Sequence, residues 1–159
     1  MALSLLSFAL ADVRDGLGPF LGVYLQGKGW MPDEIGYVMT AGGLAGMLFT
    51  TPLGALTDST RHKRLAMAVA TVLIVLSVMA VFLCQSFVLV VGMQVIQGIM
   101  AAAIAPLLTS ISLGVVGQKG LAYRLGQNEA WNHFGNFSTA ALGGLIGYFY
   151  GIPGVFAVM

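Results

Sequence analysis

Asp12, Arg14 and Asp15 sit inside the apolar stretch that opens the chain. Three charges in such a place can bind a solute, carry a proton or pair with one another. Counted from Ala2 at 1.5 Å per residue, they fall ~15–20 Å along a helix, near the middle of a bilayer. Charges at that depth are costly and must face protein, water or a partner. Asp12 and Asp15 are three apart and share a helix face, and Arg14 reaches one flank of it. Gly16, Gly18, Pro19 and Gly22 follow, so a bend is expected: proline removes a backbone hydrogen bond and glycine resists bending little. A bent helix with charges at its midpoint is a common way to build a transport cavity. A buried ion-pair network that only fixes helix packing is the other reading of the same residues.

A second polar set is Glu129, Asn132, His133 and Asn136, spaced i, i+3, i+4 and i+7 on one helical face. The face continues through Ala140, Gly143 and Gly147, which are small enough for close backbone approach. His133 can carry a proton near neutral pH. The alternative is that these groups satisfy one another and the segment ahead of them. The third set, Gly54-Ala-Leu-Thr-Asp58-Ser-Thr-Arg61-His62-Lys63-Arg64, is a charged hinge between two long apolar segments. A helix buried in lipid cannot hold that cluster, so it is expected in water between two spans.

The elements that carry these sets follow from composition. The chain is 58% hydrophobic and 8% charged, against roughly 25% charged in soluble domains. It reads as an all-α integral membrane protein in contact with the lipid bilayer. A net charge of +1 excludes the concentrated basic surface that nucleic acid requires. The single cysteine, Cys84, allows no internal disulfide, and neither a metal site nor a cofactor is expected. Ser138 near His133 is too common an arrangement to mark a catalytic pair, and an enzyme is not expected. No cleavable signal peptide is evident, because the apolar run starts at Ala2 without a basic segment before it.

Spans need ~20 mostly apolar residues. Residues 2–25, 35–57, 65–83, 87–113 and 128–150 meet that length, and a sixth span starts at 153–159. Ending there, inside an apolar segment, suggests truncation. The apolar runs are continuous rather than alternating, which argues against barrel strands. Arg61, Lys63, Arg64, Lys119 and Arg124 fall in the connections after spans two and four, whereas the opposite side holds only Lys28. That asymmetry puts the first side, and with it the N-terminus, in the cytoplasm.

With this topology, the hinge resembles the signature of the major facilitator superfamily: Gly, three residues, Asp, a basic residue, any residue, Gly, then two basic residues. Gly54 and Asp58 match in spacing, Leu56 stands where leucine is frequent, and His62, Lys63 and Arg64 match the basic tail. Ser59 and Arg61 depart from it, standing where a basic residue and a glycine are usual. Gln94-Val-Ile-Gln97-Gly98-Ile-Met-Ala101-Ala102 is similar to a family motif in which Arg precedes Gln-Gly-x-x-Ala. Gln94 replaces that arginine, which the family associates with proton coupling, so the chain either does without it or relies on Arg14. The segments around Asp12–Phe20 and Arg124–Asn136 also look like bacterial permeases of this superfamily.

The resemblance implies the N-terminal six-helix bundle of a secondary transporter in the bacterial inner membrane, moving a small-molecule substrate by alternating access. It further implies a missing C-terminal half, in which Asp58 would meet a charge and a helix N-terminus to hold the cytoplasmic gate shut. Asp12, Arg14, Asp15, Gln94, Gln97, His133 and Asn136 are then the expected substrate and proton pathway. Gly54, Asp58, Arg61, Lys63 and Arg64 form the expected gating loop. Proton coupling fits the mid-membrane carboxylates, whose proton affinity rises on desolvation when they are unpaired. A non-transporting assembly protein, or a half-size relic that docks through its glycine faces, is the alternative.

Overall fold

The computed structural model describes the backbone of residues 2–15, 20–84 and 86–158, and within these the side chains of all but Ala2, Asp12, Asp15 and residues 150–158. Every described element is a helix: α1 (Ala2–Asp15), α2 (Phe20–Gly27), α3 (Pro32–Ser59), α4 (Lys63–Leu83) and α5 (Phe87–Val158). Three of them, α3, α4 and α5, are long and apolar enough to cross a membrane. The stretch expected as the first span, 2–25, holds the described helices α1 and α2. The bend expected at Gly16, Gly18 and Pro19 falls outside the described residues.

α3 starts where proline and acidic residues favour a helix N-terminus. Pro32 occupies the first turn, Asp33 and Glu34 follow, and the Met31 N–H donates to Glu34 Oε2 at 2.9 Å. Its far end corrects the expected gating loop. Helix α3 runs through Gly54 and Asp58 to Ser59, and Lys63 and Arg64 already belong to α4, which leaves Thr60–His62 as the connection. Hydroxyls make this possible: Thr57 Oγ1 donates to the Gly54 carbonyl at 2.8 Å, and Ser59 Oγ and Thr60 Oγ1 donate to Leu56 at 2.9 and 2.7 Å. Lys63 Nζ closes the turn by donating to the Thr57 carbonyl at 2.7 Å.

α5 is 72 residues long, and a straight helix of that length would extend ~108 Å. It is not straight. Asn128 Nδ2 donates to Ser112 Oγ at 2.9 Å, although sixteen residues of straight helix separate groups by ~24 Å. The chain reverses at Gly117, whose φ of +67° lies in the left-handed region that glycine enters without steric cost. α5 is therefore a hairpin of two helical arms. Residues 114–127, expected as a loop, are helical apart from this one-residue reversal, and the second arm stays helical through Pro153 to Val158.

The interior is apolar and so is much of the exterior. On α4, Met67, Ala70, Ile74, Ser77 and Val81 point inward, while Val69, Val72, Leu76 and Met79 are exposed. One core cluster joins Leu21, Tyr24, Leu25, Val38, Val81 and Val90; the other joins Leu10, Met67, Ile74, Ala103, Ile104 and Leu107. An apolar outer face of this kind suits lipid as solvent, since the bilayer does not penalise exposed Leu and Val.

Candidate functional site

Glycines set the distance between α3 and the first arm of α5. A Cβ at Gly98 would overlap the Gly42 carbonyl oxygen, and one at Gly46 would stand 3.2 Å from the Gly98 carbonyl oxygen. With no side chains between them the two backbones touch, as small-residue crossings in membranes allow. Gly42 and Gly46, four apart on α3, thus form a packing contact with Gly98 as its counterpart.

Beside this crossing lies an open groove of about 460 Å³, bordered by Arg14 of α1, Met47 and Thr50 of α3, and Gln94 and Gln97 of α5. Gln94 and Gln97 are 9% and 8% exposed, and Gln94 Nε2 donates to Gln97 Oε1 at 3.2 Å. Two fixed amides and one guanidinium on small apolar walls can hold a polar or anionic solute by hydrogen bonds and charge. A second cavity, of about 50 Å³, lies between α1 and the two arms of α5, bordered by Ser7, Arg14, Thr109, Asn128, Glu129 and Asn132.

The structure therefore brings Arg14, Gln94 and Gln97 together. The side chains of Asp12 and Asp15 lie outside the described residues. His133 is exposed and Asn136 half-buried, and neither borders the groove or the smaller cavity. The second arm lines the smaller cavity with Leu125, Asn128, Glu129 and Asn132, and packs through Gly135 against Phe8 and Gly143 against Phe20. Of the expected stripe, Glu129 and Asn132 border the smaller cavity and Gly143 packs against Phe20, whereas His133 and Asn136 border neither cavity.

At the α3–α4 end, Ser110 Oγ of α5 donates to Asp58 Oδ1 at 3.3 Å, and Lys63 Nζ lies 3.3 Å from the Asp58 carbonyl oxygen. Arg61 and Arg64 are exposed nearby. Among the described residues, the Asp58 carboxylate thus has one hydrogen-bond partner, Ser110.

Arg124 is a correction with consequences. Counted as a cation of an aqueous loop, it is only 9% exposed. Its Nε donates to Asn128 Oδ1 at 3.0 Å, Nη1 to Gln127 Oε1 at 3.0 Å and Nη2 to Ser4 Oγ at 2.9 Å. Asn128 passes the chain on to Ser112 of the first arm. The spacing of Arg124, Gln127 and Asn128, i, i+3 and i+4, was the available signal: three polar side chains on one face next to a membrane segment need an internal partner.

Comparison with known proteins agrees with this architecture. The family model described as Major Facilitator Superfamily matches residues 3–159. Two curated relatives, both described as uncharacterized MFS-type transporters, come from Mycobacterium tuberculosis strains CDC 1551 / Oshkosh and ATCC 25618 / H37Rv. Each is 43% identical over 159 residues, covering 99% of this chain and 38% of the relative. The chain thus spans well under half the length of the curated relatives it matches. No solved structure matches it.

Proposed function

Because the chain belongs to the major facilitator superfamily, we propose that it forms one wall of the solute path of a secondary transporter. The observation that carries this reading is the groove, where Arg14, Gln94 and Gln97 from two separate helices border one opening beside a glycine crossing. A small solute bound there would be released to either side as the bundle rocks against a C-terminal half. In this reading the chain comprises five spans and the start of a sixth, with its N-terminus in the cytoplasm of a bacterial inner membrane. Asp58 restrains the cytoplasmic opening, and Asp12 or Asp15 carries a coupling proton.

The test needs no known substrate. In a Cys84→Ala background, Met47→Cys and Leu48→Cys introduce thiols at neighbouring positions, 69% and 66% exposed, of which only Met47 borders the groove. In the full-length protein in sealed vesicles, a membrane-impermeant maleimide should label Met47→Cys at least ~10-fold faster than Leu48→Cys, because an apolar lipid-facing site excludes the reagent. Equal rates would remove the groove as an aqueous path. Adding Asp58→Asn should raise Met47→Cys labelling from the cytoplasmic side, since a released gate spends longer open; an unchanged rate removes Asp58 from the gate. With Asp15→Asn, a pH gradient should no longer alter that rate, and a retained response would move the proton elsewhere.

A further inference from the structure

Among the described residues, Arg14 alone borders both the groove and the smaller cavity, and Glu129 shares the border of the second. No hydrogen bond or ion pair to a described residue occupies either charged side chain. We propose that these two cavities compete for one guanidinium: Arg14 binds an anionic solute in the groove, and Glu129 is the carboxylate of the same chain that this anion displaces. The inference rests on the transport reading and adds to it the sign of the substrate's charge and a built-in competitor.

The chemistry favours an anion. Arg14 is the one charged side chain among the described residues that border the groove, and its planar fork matches carboxylate or phosphate oxygens bidentately. Gln94 and Gln97 add amide groups and Thr50 a hydroxyl to the same border, between Gly43, Ala101 and Ala102. A cation in the same place would meet the like charge of the guanidinium. On the far side, the cavity of about 50 Å³ between Arg14 and Glu129 is small. It has room for a few water molecules, and both charged side chains stand on its border. Asp12 and Asp15 flank Arg14 in sequence but lie ~200° and ~100° around the helix from it. Glu129 is on another element, so its effect can be separated from theirs by substitution.

Competition of this kind has a signature that a purely structural arginine lacks. Binding of the anion and pairing with Glu129 are linked, so removing one strengthens the other. The experiment is calorimetric titration of the full-length protein in nanodiscs with succinate and with inorganic phosphate, and with glucose as a neutral control. At least one anion should bind, and glucose should not compete. Arg14→Gln should weaken that binding at least ~10-fold, Arg14→Lys less. Glu129→Gln should tighten it about fivefold, the lower end of typical coupling between sites. In the Arg14→Gln background, Glu129→Gln should add nothing.

Absence of binding by both anions overturns the proposal, as does unchanged affinity in Arg14→Gln. A weaker or unaltered affinity in Glu129→Gln overturns the competition. Glu129→Gln also protects the test against a folding defect in Arg14→Gln, because its expected effect is a gain. Fast labelling of Met47→Cys together with failed anion binding would leave the solute path standing and remove only this inference.

Discussion

Gly98→Ala is expected to destabilise the protein by about 3 kcal/mol, the upper part of the range for overpacking. The added Cβ falls on the Gly42 carbonyl oxygen and 3.3 Å from the Gly46 nitrogen. Both are backbone atoms of α3, so no side-chain rotation can relieve the clash. The two helices must separate, and Gln94 and Gln97 then leave the wall of the groove. Gly92→Ala is the internal control: it lies on the same arm, and a Cβ there meets nothing within 4 Å. That substitution should be neutral or stabilising by up to about 1 kcal/mol, the helix propensity difference. Thermal unfolding in detergent, followed by fluorescence, measures both. Equal transitions for the two variants would mean that α3 and α5 do not cross at these glycines.

Arg124→Leu should be the other large loss, about 2–4 kcal/mol. Three hydrogen bonds disappear together, leaving Ser4 and Asn128 buried without the donor they face. Bonds to a charged donor contribute about 1.5–3 kcal/mol in water-soluble proteins, whereas interhelical bonds in membranes average about 0.6 kcal/mol. The summed effect lies between those scales. Arg124→Lys should recover only part of it, because an ammonium cannot direct donors to three acceptors in one plane. The same unfolding measurement decides: a wild-type transition for Arg124→Leu would show that α1 is held to the hairpin by apolar packing alone.

Apolar length made most of the helices legible. The expected span at 65–83 and the observed Lys63–Leu83 differ by one half-turn at one end, since charge marks where the lipid-facing run stops. Connections were less legible. Thr57, Ser59 and Thr60 look like turn residues in sequence, yet their hydroxyls bond the preceding carbonyls and prolong α3. Gly117 was one glycine among 22, and only its φ distinguishes it from its neighbours.

The groove was legible in part. Arg14, Gln94 and Gln97 stood out as polar groups within apolar runs, and they do converge. Arg124 did not stand out, because a cation near a span end is assigned to water by default. The register of the 129–136 stripe could not be chosen either: periodicity gives the spacing of a face, not which face meets α1. Ser110, which donates to Asp58, carries no sequence signal that separates it from a solvent-facing hydroxyl.

The reversal at Gly117 gives α5 the mechanics of a tuning fork. The amides of Gln94 and Gln97 ride on one tine and Glu129 rides on the other. A long loop would absorb the motion of one tine as slack, whereas here a single residue's torsions join them. The stem thus links the two cavity walls by a route that does not pass through Arg14.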